Sequence, residues 1–328
     1  MDSPQALVEA AQHLLSPLLV LMCLTLVFYG MFTTQVYSYW LRYDKDTNLL
    51  RGFVLTLWAL ETVHTGFCIH ILYWTFIDNL GNPGNTFTIG WSTGTSIVFE
   101  VIIPALVQGF YIYRIWALSS NLIMVTVPAV MLLARIGVGL TTTSFLFKFQ
   151  NWGEFADTRY VKITMNIGLV LASCVDITIT SLLIHLFRKH QSLTTFRRTR
   201  RLVQHLMIYT VNTGAITMVC GVAALLMYDF VTGSLLFGGM LQILSELYAN
   251  SLLGMLNARD YLKGEHLSNG AINSIPLQIR TPPSTANGTT REGHLLERGI
   301  HINIQKDVSK DKDWSQHSES EPDKHGLP

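Results

Sequence analysis

Six ionisable residues stand inside long apolar stretches of the sequence, where a charge is costly. They are Glu61, His64, Glu100, Arg135, Asp176 and Glu246. Carboxylate and imidazole groups exchange protons or bind cations, and a guanidinium pairs with acids. If the apolar stretches cross a membrane, each Asp, Lys or Arg costs about 2.5–3.5 kcal/mol on insertion scales. Such residues are therefore candidates for ligand or ion binding.

Glu61 and His64 are three positions apart, so they share one face of a helix. Antiparallel packing of the apolar stretches predicts that all six residues lie at similar depth. Four acids facing one Arg and one His are not neutralised by protein groups alone. Either some acids are protonated, because burial disfavours the charged form, or the layer is hydrated or binds a cation. The alternative is purely structural pairing between helices, the role predicted for Asn212 and Asn250.

Seven stretches are long enough to position these residues in a bilayer, which requires about 20 mainly apolar residues per helix. They cover residues 17–39, 52–77, 91–113, 122–147, 163–187, 205–227 and 235–258. Hydrophobic residues make up 49% of the chain and charged residues only 14%, against about 25% charged in soluble proteins. The sequence therefore predicts an all-α integral membrane protein, a seven-transmembrane helix bundle.

The distribution of Lys and Arg predicts the orientation, because short cytoplasmic loops retain these residues. Twelve fall in segments on one side of the predicted spans and three on the other. Residues 1–16 are then outside and residues 259–328 form a cytoplasmic tail. The tail is rich in Ser, Asp, Lys, Gly and Pro, a composition that predicts disorder. The expected location is the plasma membrane or another membrane of the secretory pathway.

Several kinds of site are not expected. The four cysteines lie in apolar stretches without a C-x-x-C pair, and the histidines lie at different predicted depths, so we predict no zinc or other metal site. The last span has no Lys for a retinal Schiff base. No loop is long enough for a soluble catalytic domain, and a net charge of +1 gives no reason to expect nucleic acid. We therefore predict no enzyme and no cofactor.

The segment 188–201 holds six Lys and Arg residues. Near an anionic leaflet each is worth about 1 kcal/mol. Candidate residues for docking anionic lipids or a cytoplasmic protein are Arg197, Arg198, Arg200 and Arg201. The alternative is that the segment only determines topology.

Two motifs in the last third of the apolar region carry a family resemblance. They are Y-T-V-N-T-G at Tyr209–Gly214 and L-Y-A-N-S-L-L-G-M-L-N-A-R at Leu247–Arg259. With Asp176, residues 170–260 resemble fungal, mushroom-type multi-pass membrane proteins whose C-terminal half is a domain of unknown function. The resemblance implies a seven-helix membrane protein with a variable cytoplasmic tail. It implies no activity.

The odd number of spans, the short loops, the basic segment and the tail favour a receptor-like sensor. An unknown small ligand would then enter the mid-membrane polar layer from outside. A transporter or proton-coupled carrier that uses the intramembrane acids is the first alternative. A membrane scaffold that recruits partners through its tail is the second.

Overall fold

The computed structural model describes residues 4–79, 85, 87–119, 121–193, 197–231 and 234–272. Most of these residues are helical, and none of them belongs to a β-strand. The long helices are α1 (Pro4–Arg42), α2 (Asn48–Tyr73), α3 (Trp91–Leu118), α4 (Leu122–Lys148), α5 (Arg159–Leu193), α6 (Arg197–Phe230) and α7 (Leu236–Ile272). A π-helical turn, Trp74–Asp78, continues α2, and a short helix, Trp152–Asp157, precedes α5. All of them belong to one compact unit, Met1–Ile275.

Within the described residues, the seven long helices form a closed ring. Each helix contacts the next one in the chain, and α7 returns to pack against α1. α3 also crosses the interior to contact α5 and α7. Side chains on the inner faces of α2, α3 and α7 are thereby brought together.

The distribution of polar side chains is the reverse of that in a soluble protein. Large apolar side chains are exposed around the bundle, for example Val130 at 64% and Leu133 at 68% on α4. Carboxylates and amides lie inside, and Glu61, Glu246 and Gln242 are almost completely buried. Extensive exposed apolar surface requires an apolar environment. The chain is a membrane-embedded protein.

Five helices are long and apolar enough to cross a membrane, counted over the described side chains. They are Gln12–Arg42, Asn48–Asp78, Trp91–Leu118, Leu122–Lys148 and Arg159–Gln191. α6 has a shorter apolar part, Gly214–Phe230. α7 carries Gln242, Glu246 and Asn250 between its apolar residues, which lowers its hydropathy. Those polar residues belong to the interior of the ring.

The helices are longer than the predicted spans. Within the described residues, α1 is helical from Pro4, ahead of the predicted start at residue 17. α7 continues past residue 258 to Ile272. Disorder was expected from residue 259, but residues 259–272 are helical, since Tyr261, Leu262 and Lys263 tolerate continuation of a formed helix. The rest of the predicted tail, 273–328, lies outside the described residues.

Two loops join at the end of the ring where α1 begins and α2 ends. Two backbone hydrogen bonds of 2.7 and 2.9 Å connect Phe87–Ile89 to Gln150–Trp152. Their middle residues, Thr88 and Asn151, form an antiparallel bridge. We call this pair of segments the strap.

α1 and α7 pack closely against each other at a glycine. A Cβ atom on Gly239 would lie only 2.6 Å from Leu21 Cβ. At the preceding residue, Gly238, a Cβ would meet no atom within 4 Å. The absence of a side chain at Gly239 therefore allows the two helices to pack.

Candidate functional site

Three buried side chains from two helices meet inside the ring: Glu61 and His64 of α2, and Glu246 of α7. His64 Nδ1 lies 3.3 Å from Glu61 Oε2, the closeness expected one helical turn apart. One possible ligand atom from each of the three residues lies within 4.8 Å of the others. All three side chains have 0% exposure. We call them the Glu–His–Glu cluster.

The cluster has polar atoms without hydrogen bonds. Among the described residues, Glu61 Oε2, His64 Nδ1 and both Glu246 carboxylate oxygens are buried and make no hydrogen bond of normal geometry, although Glu246 interacts with Glu61 and Thr65. Ser245 Oγ donates to the other Glu61 oxygen at 3.4 Å. A buried polar group without a partner costs about 1–3 kcal/mol. The cluster therefore has unused capacity to bind a proton, water or a cation.

Glu100 of α3 lies next to this cluster. Its carboxyl group interacts electrostatically with His64 and Glu61. It also lines a cavity of about 680 Å³ between α3, α4, α5 and α7, together with Arg135 and Ser245. Glu100 thus stands between the Glu–His–Glu cluster and this cavity, which we call the lateral cavity.

Gln242 links the cluster to the end of the bundle that carries the strap. It precedes Glu246 by four residues, so both lie on one face of α7. Its Oε1 accepts a hydrogen bond from Cys68 Sγ at 3.0 Å, and its Nε2 donates to Ser96 Oγ at 3.0 Å. Cys68 Sγ in turn lies 3.9 Å from His64 Nε2. A line of polar contacts therefore runs from Gln242 to His64.

Gln242 also lines a second cavity, of about 730 Å³, at the strap end of the ring. The lining is almost entirely apolar and includes Leu18, Met22, Trp74, Trp152, Phe155 and Phe237. Thr88 and Trp152 belong to the strap, so the strap forms part of the wall. We call this space the apolar cavity.

A second polar network lies elsewhere in the bundle, on α3, α4, α5 and α7. Arg135 Nη1 donates to Gln108 Oε1 at 2.7 Å, and Gln108 Nε2 donates to Asp176 Oδ1 at 2.7 Å. The Tyr248 hydroxyl donates a short hydrogen bond to the other Asp176 oxygen. The Arg135 guanidinium lies 5.9 Å from the centre of the Tyr248 ring. The Gln108 amide connects Arg135 to Asp176, because it accepts a hydrogen bond from the guanidinium and donates one to the carboxylate.

The structure therefore divides the predicted polar layer into two groups. Glu61, His64 and Glu246 are together with Glu100 beside them, whereas Arg135 and Asp176 meet around Gln108. Gln108 is eight residues beyond Glu100 on α3, a separation of about 12 Å along a helix. The six predicted residues therefore do not form one cluster, and the expectation of one common depth stays a prediction. Arg135 is linked to Asp176 through Gln108 and belongs to this second network rather than to the Glu–His–Glu cluster.

Sequence reasoning missed Gln108, Gln242 and Tyr248, because a search for ionisable residues passes over neutral polar ones. A signal was present for Gln242. Gln242, Glu246 and Asn250 recur every four residues on α7, which places polar groups along one helical face.

The two predicted asparagines have different environments. Asn250 Nδ2 donates to Phe28 O at 3.1 Å, and Asn250 Oδ1 accepts from Gln35 Nε2 at 3.1 Å, so Asn250 joins α7 to α1. Asn257 Nδ2 donates to Gln35 O at 2.9 Å. Asn212, in contrast, is exposed on α6.

Near residue 259, α7 contacts the connection between α1 and α2. Arg259 Nη2 forms a salt bridge of 2.6 Å with Asp46 Oδ2, and Tyr39 donates to the same oxygen at 2.9 Å. Tyr248, Asn250, Asn257 and Arg259 are thus the polar positions of the motif Leu247–Arg259 that contact other elements. This accounts for the motif physically, as a set of contacts that fixes α7 in the ring.

The comparison with protein families concerns this same part of the chain. Residues 172–261 match DUF6534, a family of unknown function. The match confirms the predicted resemblance to a domain of unknown function. The fungal origin and the two signature motifs stay predictions. A search of curated proteins and a search of solved structures found no match. The DUF6534 region spans most of α5, all of α6 and α7 as far as Tyr261.

The predicted docking residues Arg197, Arg198, Arg200 and Arg201 begin α6. Their side chains lie outside the described part of the structure, and their role stays a prediction.

Proposed function

We propose that the chain is a seven-span, receptor-like sensor, with its N-terminus outside the membrane and its C-terminus in the cytoplasm. The small ligand enters the apolar cavity. Binding changes the position of α7, which carries the signal to the cytoplasmic connection between α1 and α2 and to the tail.

The closed ring supports seven spans. α6 and α7 pack between α5 and α1 along the ring, so they occupy the same layer as the five strongly apolar helices. The polar residues of α7, such as Gln242 and Glu246, are buried and do not face lipid. The distribution of Lys and Arg supports the orientation.

The apolar cavity is the observation that carries the sensor proposal. Its lining residues come from α1, α2, α3, α4, α5 and α7, so the cavity lies where most of the helices of the ring meet. Small-molecule pockets are mainly apolar and have few polar groups that orient the ligand. Gln242 supplies such a group. The ligand class is a small apolar molecule with one polar atom.

The contacts of α7 provide a route for coupling. Gln242 at the apolar cavity and Arg259 at Asp46 belong to one continuous helix, so displacement at one end is transmitted to the other. A ligand shifts a conformational equilibrium only by its difference in affinity for the two states. A ligand that contacts Gln242 in one position of α7 supplies that difference.

A cavity-filling pair of variants tests this proposal. Gly238 lines the apolar cavity and has no atom within 4 Å of its Cβ position, so Gly238→Phe fills the space. Gly137 on α4 is exposed and is equally free of close neighbours, so Gly137→Phe is the matched control. The assay is a thermal-shift screen of C6–C12 alcohols and terpenoid alcohols against the full chain in lipid nanodiscs.

We expect compounds that stabilise the wild type and Gly137→Phe but not Gly238→Phe. Equal stabilisation of both variants would place binding outside the apolar cavity and contradict the proposal. A screen in which no compound stabilises the wild type would count equally against it.

The lateral cavity favours a carrier as the second candidate. Glu100 and Arg135 provide groups of opposite charge on its wall, as a site for a polar substrate requires. Flux measurements in proteoliposomes distinguish this candidate. A carrier loses transport in Glu100→Gln, whereas transport that is unchanged in this variant removes the carrier from consideration.

A further inference from the structure

We propose that Glu61, His64 and Glu246 form a binding site for one divalent transition-metal ion of the zinc type. The sequence alone predicted no metal, because it offers neither paired cysteines nor three histidines at one depth. The structure combines one imidazole with two carboxylates from separate helices. This proposal does not depend on the sensor function.

The geometry places the donors within reach of one ion. One ligand atom from each residue lies within 4.8 Å of the others, and Glu61 Oε2 and His64 Nδ1 are 3.3 Å apart. Zinc binds nitrogen and oxygen at about 2.0–2.2 Å. Donors around a tetrahedral ion at that bond length lie about 3.3–3.6 Å apart, so side-chain movements of about 1 Å complete the coordination.

The orphaned atoms are a second, independent indication. Both Glu246 oxygens, Glu61 Oε2 and His64 Nδ1 are buried and make no hydrogen bond of normal geometry within the described residues. Buried polar atoms ordinarily have partners. Here the residues whose atoms lack them are the three that each place one ligand atom within 4.8 Å of the others. A metal ion supplies all of them with a partner at once.

The charges of the two buried carboxylates also favour a bound cation. Two carboxylates lie in a fully buried site inside a membrane protein. The salt bridges of the described residues bring no Lys or Arg to them, and the half-buried Arg135 is hydrogen-bonded to Gln108 instead. A divalent cation neutralises both carboxylates, and the imidazole then binds as a neutral ligand.

The ligand set selects among metals. Calcium and magnesium prefer oxygen ligands alone. Imidazole together with carboxylate suits zinc and its neighbours in the first transition row. The Nδ1 atom of His64 is on the side of Glu61, and its Nε2 atom contacts Cys68 Sγ. Ser245 Oγ donates a hydrogen bond to the Glu61 oxygen that is not directed at His64. Metal ligands usually have such outer partners, which orient them.

The zinc content of the purified chain measures the occupancy of the proposed site directly. The full chain is purified in detergent, stripped with a chelator, loaded with Zn²⁺, desalted and analysed by mass spectrometry of the metal. We expect one zinc per chain in the wild type, and loss of that equivalent in His64→Gln and Glu246→Gln. Asp176→Asn, which alters a buried carboxylate of the other network, retains the zinc. Ser245→Ala weakens binding by about 10–100-fold.

A spectroscopic measurement on the wild type avoids reliance on variants that fold poorly. X-ray absorption of the zinc-loaded chain should show only nitrogen and oxygen neighbours at about 2.0–2.1 Å. A sulfur neighbour would place the ion on Cys68 and overturn the assignment. Zinc content below one equivalent in the wild type, or equal content in Glu246→Gln and Asp176→Asn, would overturn it as well.

Discussion

The glycine at the tight contact between α1 and α7, Gly239, provides the sharpest test of the helix arrangement. We predict that Gly239→Ala destabilises the protein, whereas Gly238→Ala does not. The two positions are adjacent on one helix, so replacing glycine with alanine gives both the same gain in helix propensity, roughly 0.5–1 kcal/mol. The difference between the two variants therefore isolates the contact with α1.

The magnitude of that difference follows from the distances. A Cβ on residue 239 lies 2.6 Å from Leu21 Cβ and 2.8 Å from Leu21 Cδ1. Carbon atoms in contact are separated by about 3.5–4.0 Å. Leu21 Cβ is fixed to the backbone, so rotation of the side chain does not relieve the overlap and α1 must shift. Overpacking of this kind costs about 1–3 kcal/mol.

The assay is unfolding of the purified chain by titration with SDS in mixed micelles, followed by circular dichroism. Gly239→Ala should unfold at a lower SDS fraction than Gly238→Ala, with a free-energy difference of about 1–3 kcal/mol. If Gly239→Ala is as stable as Gly238→Ala, the close packing of α1 on α7 is refuted.

Three further changes have defined outcomes. Tyr248→Phe removes the hydroxyl that donates to a buried carboxylate, which should lower stability by about 0.6–1.7 kcal/mol in the same titration. Asp46→Asn breaks a partly exposed salt bridge with Arg259, and should cost about 0.2–1 kcal/mol, a loss that disappears when the titration is repeated at high salt. Cysteines introduced at the exposed residues Leu49 and Tyr160 should react with a membrane-impermeant maleimide from opposite sides. Labelling of both from one side would contradict the proposed topology.

The fold was largely predictable because apolar stretches of bilayer length are a strong signal in a sequence. Each predicted span lies within a long helix or its π-helical extension, apart from residue 235, which directly precedes α7. The helix ends were less predictable, because hydropathy marks the lipid boundary and not the end of hydrogen bonding. α7 shows this, since it continues to Ile272 through polar residues.

The site was predictable only in part. The spacing of Glu61 and His64 was sufficient to place them together, because one helix determines their separation. The partner of Arg135 depends on the rotation and vertical offset of α3, α4 and α5, which no local pattern encodes. Gln108 decides that pairing, and as a neutral amide it carries no signal in hydropathy or charge.

The strap has a consequence for how the apolar cavity can vary between related chains. Its two hydrogen bonds join main-chain atoms of Phe87–Ile89 and Gln150–Trp152. Main-chain bonds persist when side chains are exchanged, so the rim of the cavity keeps its shape while Thr88 and Trp152 are free to diverge. Under the proposed sensor function, single substitutions at the rim would change the ligand preference without rebuilding the helical ring beneath it.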